Sequence, residues 1–227
     1  MLARRLRPLF LILASCASAA FPAPNEIKVF TDELARYREH TLETHVNKAR
    51  TGPLRVMPEY SYGLWHNWEF SLQLPLAFTS QSANGEGYRA ELQYVAPHDD
   101  ERGFYWGINV EIARDYRLDE PHFWNLEFIP ILGLRTGRWH FAANPGIERP
   151  LSGRERSATA TPAAKAAYLV SGKNYVGLEY YVEEQSRMLY LAWDGKLGRS
   201  DINFGVGRGS TPASDRWVVK TIYEIAF

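Results

Sequence analysis

Acidic side chains recur at alternate positions along much of the chain and are its most abundant groups able to do chemistry. Rings of carboxylates in a pore favour cations over anions, whereas carboxylates paired with bases hold a narrow interior closed. Both interpretations stay open on the sequence alone. The candidate lining residues are Glu43, Glu59, Glu69, Arg89, Glu91, Glu111, Glu127, His140, Glu148, Lys165, Glu179, Asp201, Lys220 and Glu224, with His45 and Arg55 of the same parity.

Two short clusters contain residue types that catalysis or metal binding uses. They are HDDE at residues 98–101 and DYRLDEPH at residues 115–122, the second with Asp115, Asp119, Glu120 and His122. No nucleophile motif accompanies either cluster, and a charged turn explains the first one. We therefore predict no catalytic residue, no metal and no cofactor, with an outer-membrane hydrolase as the alternative.

A run of alternate glycines, Gly205, Gly207 and Gly209, resembles a phosphate-binding loop. A phosphate loop opens a helix, whereas here Pro212 follows without a helical pattern, which argues against a phosphate loop. Glycines on the inner face of a strand instead leave room, which we expect residues 26–40 to use.

The elements that carry these residues have a period of two. Apolar and polar residues alternate in about twelve segments, and alternate side chains of a strand point to opposite faces. Short connections mostly alternate with longer ones, as in an antiparallel up-and-down arrangement. The predicted strands are 41–49, 54–62, 67–78, 87–97, 103–113, 122–133, 138–148, 162–171, 174–183, 187–194, 200–208 and 216–227.

A secreted β-sandwich and a transmembrane β-barrel both have alternating strands, and the aromatic residues favour the barrel. Aromatic residues make up 14% of the chain, and many fall near strand ends, where membrane barrels carry aromatic girdles. Strands of about 9–11 residues span a bilayer when tilted, and a closed ring satisfies every backbone group without water. The girdle candidates are Tyr62, Trp68, Trp106, Trp124, Trp139, Trp217 and Tyr223.

The ends of the chain point to export and membrane assembly. Residues 1–19 combine three arginines, a short apolar run and a small-residue cleavage site, as a secretory signal does. Cys16 also fits a lipidation site, so it is either lipidated or removed. Residues 20–40 are predicted as a periplasmic or lumenal segment, either a short helix or an extended plug. Residues 41–227 form the barrel, and its last strand ends in an assembly signal of Tyr223, Ile225 and Phe227.

Composition excludes several other classes. Lysine plus arginine and aspartate plus glutamate both number 26, so no basic surface suggests nucleic acid. Removal of the three signal arginines leaves 23 basic against 26 acidic residues. The lone cysteine rules out a disulfide framework. The mean hydropathy of −0.34 resembles that of a soluble protein, because the apolar and polar residues that alternate along each strand cancel in the average.

Four segments resemble a family of proteobacterial outer-membrane barrels, the family named after the MetA pathway of phenol degradation. They are residues 58–78 (PEYSYGLWHNWEFSLQLPLAF), 126–153, 174–181 (NYVGLEYY) and 202–220. The resemblance implies a porin-like transporter in the Gram-negative outer membrane and no agreed catalytic residues. A channel for small solutes, including apolar or aromatic ones, is therefore the leading interpretation.

The partners expected for such a barrel are lipid and the assembly machinery. Arginines fall in or beside the predicted long loops, where guanidinium groups can bind lipopolysaccharide phosphates: Arg114, Arg117, Arg154, Arg156, Arg187, Arg208 and Arg216. A non-conducting structural or lipopolysaccharide-interacting barrel is thus the main rival to a channel.

Overall fold

The computed structural model describes residues 27–116, 122–153, 157–183 and 185–227, and these contain fourteen strands. In chain order they are β1 (His40–Ala49), β2 (Leu54–Trp65), β3 (Trp68–Gln73), β4 (Leu76–Phe78), β5 (Ala83–Gly85), β6 (Gly87–Val95), β7 (Gly103–Asp115), β8 (Phe123–Thr136), β9 (Trp139–Pro150), β10 (Thr159–Ser171), β11 (Asn174–Glu183), β12 (Ser186–Leu197), β13 (Ser200–Gly209) and β14 (Val218–Ala226).

Twelve of these strands close into a ring. Each pairs antiparallel with its neighbours in the chain, and β1 pairs with both β2 and β14. The remaining two, β4 and β5, extend the wall as a hairpin beside β2. The predicted all-β, antiparallel up-and-down barrel of twelve strands is therefore confirmed. No helix in the described part of the chain is long and apolar enough to cross a membrane.

The predicted single strand 67–78 is interrupted, and residues predicted as a loop form β5. Gln73 pairs with Arg89 but Leu76 pairs with Gly85, so the five residues 85–89 face the four residues 73–76. This extra residue is a β-bulge, which changes which side chains of the strand point into the barrel. Gly87 takes a φ of +138°, and a Cβ there would lie 2.1 Å from the Arg114 carbonyl oxygen.

The barrel is polar inside and apolar outside. On β7, Asn109 and Glu111 are buried, while Phe104 and Trp106 are 61% and 48% exposed. The same alternation runs around the ring, so most of the exposed large side chains in the described strands are apolar. A water-soluble domain has the opposite arrangement of buried apolar and exposed charged residues. The secreted sandwich therefore does not describe this chain.

The two ends of the barrel differ. One of them, which we call the short-turn end, has four two-residue turns, at 66–67, 137–138, 172–173 and 198–199. The start of β1 at residue 40 and residue 227 lie at this same end. These turns use left-handed residues, among them Gly137 at a φ of +58° and Asn67 at +69°. Most of the longer connections lie at the opposite end, the long-loop end. This asymmetry matches the predicted loop pattern.

Residues 27–39 are extended, and their only pairing in the described structure is a parallel bridge between Tyr37 and Gly63. The helical alternative for the N-terminal segment is therefore wrong in its described part. Gly63 permits the approach, because a Cβ there would lie 1.9 Å from the Arg36 carbonyl oxygen. Residues 1–26, with the predicted signal and Cys16, lie outside the described residues.

Candidate functional site: the barrel interior

Residues 27–37, which we call the inner segment, lie inside the ring and contact strands on opposite sides of it. Near the long-loop end, the Lys220 ammonium donates to the Ile27 carbonyl oxygen at 2.9 Å and to the Tyr181 hydroxyl at 2.9 Å. The same ammonium is bonded to the Glu179 carboxylate. A fully buried lysine needs such a set of acceptors, because an unpaired buried charge is costly.

Apolar side chains of the inner segment pack against inward apolar side chains of the wall. Ile27 and Val29 join a buried cluster with Tyr181, Met188, Tyr190 and Val218. Phe30 packs with Tyr105, Ile129 and Ile131 in a second cluster nearer the short-turn end. The inward-facing apolar side chains of Ile129 and Ile131 therefore belong to the same buried cluster as the inner segment.

Asn144 fixes the middle of the inner segment. Its Nδ2 donates to the Phe30 carbonyl oxygen at 3.0 Å, and its Oδ1 accepts from the Phe30 N–H at 2.8 Å. Further along, the Glu69 carboxylate accepts from the Ala35 N–H. The extended backbone thus finds partners in side chains of the wall, which replaces the pairing that a helix or sheet would give.

Asp32 anchors the inner segment at the short-turn end. Arg135 donates two hydrogen bonds to its carboxylate, at 2.6 and 3.1 Å, and His98 bonds it at 2.9 Å. Burial alone would raise the pKa of Asp32, but the Arg135 contacts, with His98, outweigh burial and leave the pKa lowered. Burial likewise opposes charging of His98, but the Ala96 carbonyl and Asp32 raise its pKa.

A second cluster joins β1 and β2 to the inner segment. His45 Nε2 lies 2.5 Å from Glu43 Oε1 and 3.3 Å from Glu59 Oε2, and the Lys28 ammonium lies 3.0 Å from Glu43. Two carboxylates and an imidazole with ligand atoms within 4.8 Å can hold a metal ion. Here Lys28 already supplies a cation to Glu43, so we interpret the cluster as an ion-pair network.

Neighbouring inward residues extend this network around the wall. Gln73 donates to Glu91 at 2.9 Å and to Glu59 at 3.3 Å, and Asn109 donates to Glu91. On the opposite wall, Lys165 lies 2.7 Å from Asp194 and 3.6 Å from Glu179. The predicted acids Glu43, Glu59, Glu69, Glu91 and Glu179 thus have partners in the wall or the inner segment.

The other predicted lining residues also have neighbours in the wall. Arg89 lies 3.4 Å from Glu111 and 3.8 Å from Asp115. The Glu127 carboxylate accepts from Thr161 at 2.6 Å and that of Glu148 from Asn125 at 2.6 Å. His140 bonds the Tyr105 hydroxyl at 2.7 Å, and Asp201 bonds Lys196 at 2.6 Å nearer the surface.

Glu224 lies opposite Glu43 on β1 and opposite Asp201 on β13 in the strand register. Arg55 bonds Glu86, which the bulge turns inward.

The inward glycines of β13 lie beside a wall side chain. A Cβ at Gly207 would lie 2.4 Å from the ring of Tyr190, and one at Gly205 would lie 3.1 Å from Lys220. Tyr190 is itself fully buried and packs with Ile27 and Val29. The space left by Gly207 is thus filled by Tyr190, and the expectation that the inner segment fills it directly is wrong.

The structure places the girdle candidates on the outside, near both ends. Trp106, Trp139 and Tyr223 are 48%, 46% and 41% exposed near the short-turn end, where Tyr62 and Trp68 also lie. Trp124 and Trp217 lie near the long-loop end, and Trp217 is 44% exposed. In the C-terminal strand, Ile225 is half-buried and Phe227 is exposed, with its backbone bonded to His40.

The structure does not assemble the catalytic candidates that it describes. The Asp115 carboxylate accepts from Asn125 at 2.7 Å, whereas the His122 ring stacks on Tyr116 at 4.2 Å. Asp119, Glu120, Arg117, Arg154 and Arg156 lie outside the described residues. In the HDDE turn, His98 turns to Asp32, and Asp99 pairs with Arg102 at 3.2 Å.

Several interior residues have no counterpart among the sequence candidates. Asp194, Arg135, Gln73, Asn109 and Asn144 sit on the same face as the predicted ones, so strand parity applied to every polar residue would have found them. Lys28 and Asp32 lie outside any strand, where no periodicity indicates facing. The inner segment therefore supplies the part of the site that sequence reasoning missed.

Comparisons with known proteins assign the chain to no family. No family model and no curated protein matches the chain. Among solved structures, a mutant porin from Rh. blastica aligns at 10% identity and a TM-score of 0.32, over 83% of this chain and 99% of that one. The translocator domain of the autotransporter NalP from Neisseria meningitidis aligns at 11% identity and a TM-score of 0.37, over 83% and 86%. Overlap at this level says nothing about function.

Proposed function

We propose that the protein is an outer-membrane β-barrel that passes small solutes and that the inner segment gates its lumen. The observation that carries this proposal is the inner segment itself, an extended peptide that crosses a polar interior. Its described contacts with the wall are non-covalent. Displacement of that peptide is the simplest way for such a barrel to open.

The outer surface supports the membrane location. Apolar side chains cover the outside, aromatic residues lie near both ends, and the closed ring has no free edge, as a barrel in lipid requires. The predicted secretory signal and the exposed Phe227 at the end of the last strand fit export and assembly at the Gram-negative outer membrane. Heat-modifiable migration on gels and fractionation with outer membranes test this location.

The inward charges and the family resemblance support different features of the solute. Carboxylates outnumber basic side chains among the inward residues, which disfavours anions in the lumen. The resemblance to the MetA-pathway family supports small apolar or aromatic solutes. A neutral or cationic small molecule satisfies both.

A non-conducting structural barrel is the second candidate, and the interior ion pairs favour it. Lys165 with Asp194, and Lys220 with Glu179, join separate strands across the interior surface. Such pairs suit a wall that never opens. An enzyme is not proposed, because the described candidate residues contact different partners.

Single-channel conductance separates these candidates. The wild-type protein in a planar bilayer should open rarely, because the inner segment occupies the lumen. A variant lacking residues 21–37 should open steadily, since β1 begins at His40 and the ring stays complete. Should the deletion disturb folding, the variant Asp32→Ala with Asn144→Ala removes two anchors and leaves the chain length unchanged. Inserted variants without any openings would leave the non-conducting barrel as the answer.

A further inference from the structure

An apolar groove runs along the outside of the barrel near the bulge. It has a volume of about 590 Å³ and lies across β2, β3, β6, β7 and the start of β8. Ala90 is its smallest lining side chain, in register with Leu72 on one side and Ile112 on the other. Tyr60 continues the same row on β2. The small side chain in the middle of larger ones creates the hollow.

The long-loop end of the groove is bordered by aromatic rings and a cation. Tyr88 and Trp124 line that end, and their rings meet edge to face at 5.9 Å. Arg114 lies between them in register, pairing with Tyr88 on one strand and Trp124 on the other. Its guanidinium lies 5.3 Å from the Trp124 ring centre. A guanidinium over the face of an aromatic ring keeps its N–H groups available to donate to phosphate.

We infer that this groove binds one phosphorylated lipid, with an acyl chain over Ala90 and the phosphate at Arg114. Charge complementarity selects this occupant. Among the described residues at this end of the groove, the Arg114 guanidinium lies where the headgroups of the long-loop leaflet would lie, and an almost entirely apolar surface continues from it towards the barrel middle. A free phosphate would leave the groove empty, and an uncharged apolar molecule would leave Arg114 unused. The inference rests on the membrane location proposed above.

A second arginine–aromatic pair provides the matched control. Arg208 lies over Trp217 at 5.7 Å, on the outside and near the same end of the barrel. None of the groove residues belongs to β13 or β14, so this pair has the cation and the ring without the groove. A general attraction of acidic lipid to surface arginines would involve both pairs equally.

Native mass spectrometry of the full chain tests the site. The protein is reconstituted in phosphatidylcholine nanodiscs doped with dimyristoyl phosphatidic acid, or with dimyristoylglycerol, which has the same chains and no phosphate. Wild-type protein should retain one phosphatidic acid and no diacylglycerol. Arg114→Gln and Ala90→Trp should each lower retention about tenfold, because one removes a charged contact and the other fills the hollow. Arg208→Gln should retain the lipid like the wild type.

Three results would overturn the inference. Equal losses for Arg114→Gln and Arg208→Gln would show attraction to surface charge only. Retention of diacylglycerol would show a site for apolar molecules in general, and inhibition by inorganic phosphate alone would show a phosphate site without a chain. Heat-modifiable migration confirms folding of each variant. Failure of the protein to insert into the nanodiscs would contradict both the proposed function and this site. Insertion without bound lipid would contradict the site alone.

Discussion

Asn144 holds both backbone groups of Phe30, accepting from its N–H at 2.8 Å and donating to its carbonyl oxygen at 3.0 Å. This is the pairing that a neighbouring strand would give, supplied by one side chain. It fixes how far the inner segment extends along the barrel, because a shift of the segment by one residue would break both bonds.

Replacing Asn144 should therefore loosen the inner segment. Asn144→Leu keeps the approximate volume but leaves the N–H and carbonyl of Phe30 without partners, at a cost of about 1–3 kcal/mol for each buried group. Faster hydrogen exchange at the Phe30 amide is the expected result. Asn84→Leu, in the exposed hairpin, is the matched control. Unchanged exchange in Asn144→Leu would mean that other contacts hold the segment.

The ion pair between Lys220 and Glu179 should be costly to break from one side. Glu179→Gln leaves the fully buried Lys220 ammonium without its carboxylate, a change of about 3–5 kcal/mol. Urea unfolding in vesicles measures the loss. The double variant Glu179→Leu with Lys220→Met removes both charges and should recover most of the free energy of unfolding. A double variant as unstable as the single one would contradict the pairing.

Gly207 should tolerate no side chain. Gly207→Ala places a Cβ 2.4 Å from the buried ring of Tyr190, so the ring must move and the cluster with Ile27 and Val29 must repack. Overpacking of this kind costs about 1–3 kcal/mol. Gly85→Ala is the control, since a Cβ there meets nothing within 4 Å. Equal unfolding free energies for the two variants would show that Tyr190 is free to move.

The contact of His98 with Asp32 should make stability depend on pH. The raised pKa of His98 means that its contribution is complete below about pH 6.5 and is lost as pH rises through the raised value. The lowered pKa of Asp32 means that its contribution is present above about pH 3.9 and is lost only as pH falls through the lowered value.

The stability difference between wild type and His98→Gln should thus be larger near pH 6 than near pH 9. Urea unfolding at about these two pH values measures it. His66→Gln, in a turn at the same end of the barrel, serves as the control. A difference that stays the same at both pH values would show that His98 acts by packing alone, and one that grows with pH would contradict its raised pKa.

Sequence periodicity predicted the ring well and the interior less completely. Twelve strands followed from alternation, because the two faces of each strand meet different surroundings. The interruption between Gln73 and Leu76 and the bulge at Gly87 could not be predicted, since both depend on register with a neighbouring strand. Asp32 and Lys28 could not be predicted either, because an extended segment without a repeating pattern acquires its facing only from the walls around it.

The path of the inner segment also constrains the order of assembly. Ile27 lies towards the long-loop end, Tyr37 lies at the short-turn end, and β1 follows directly and pairs with β14. The seam between first and last strands is therefore closed by the strand next to the enclosed peptide. Either the inner segment already lies inside the curved sheet when β1 pairs with β14, or it enters the closed barrel along the barrel axis afterwards. In the first case, ring closure and filling of the lumen are a single cooperative event.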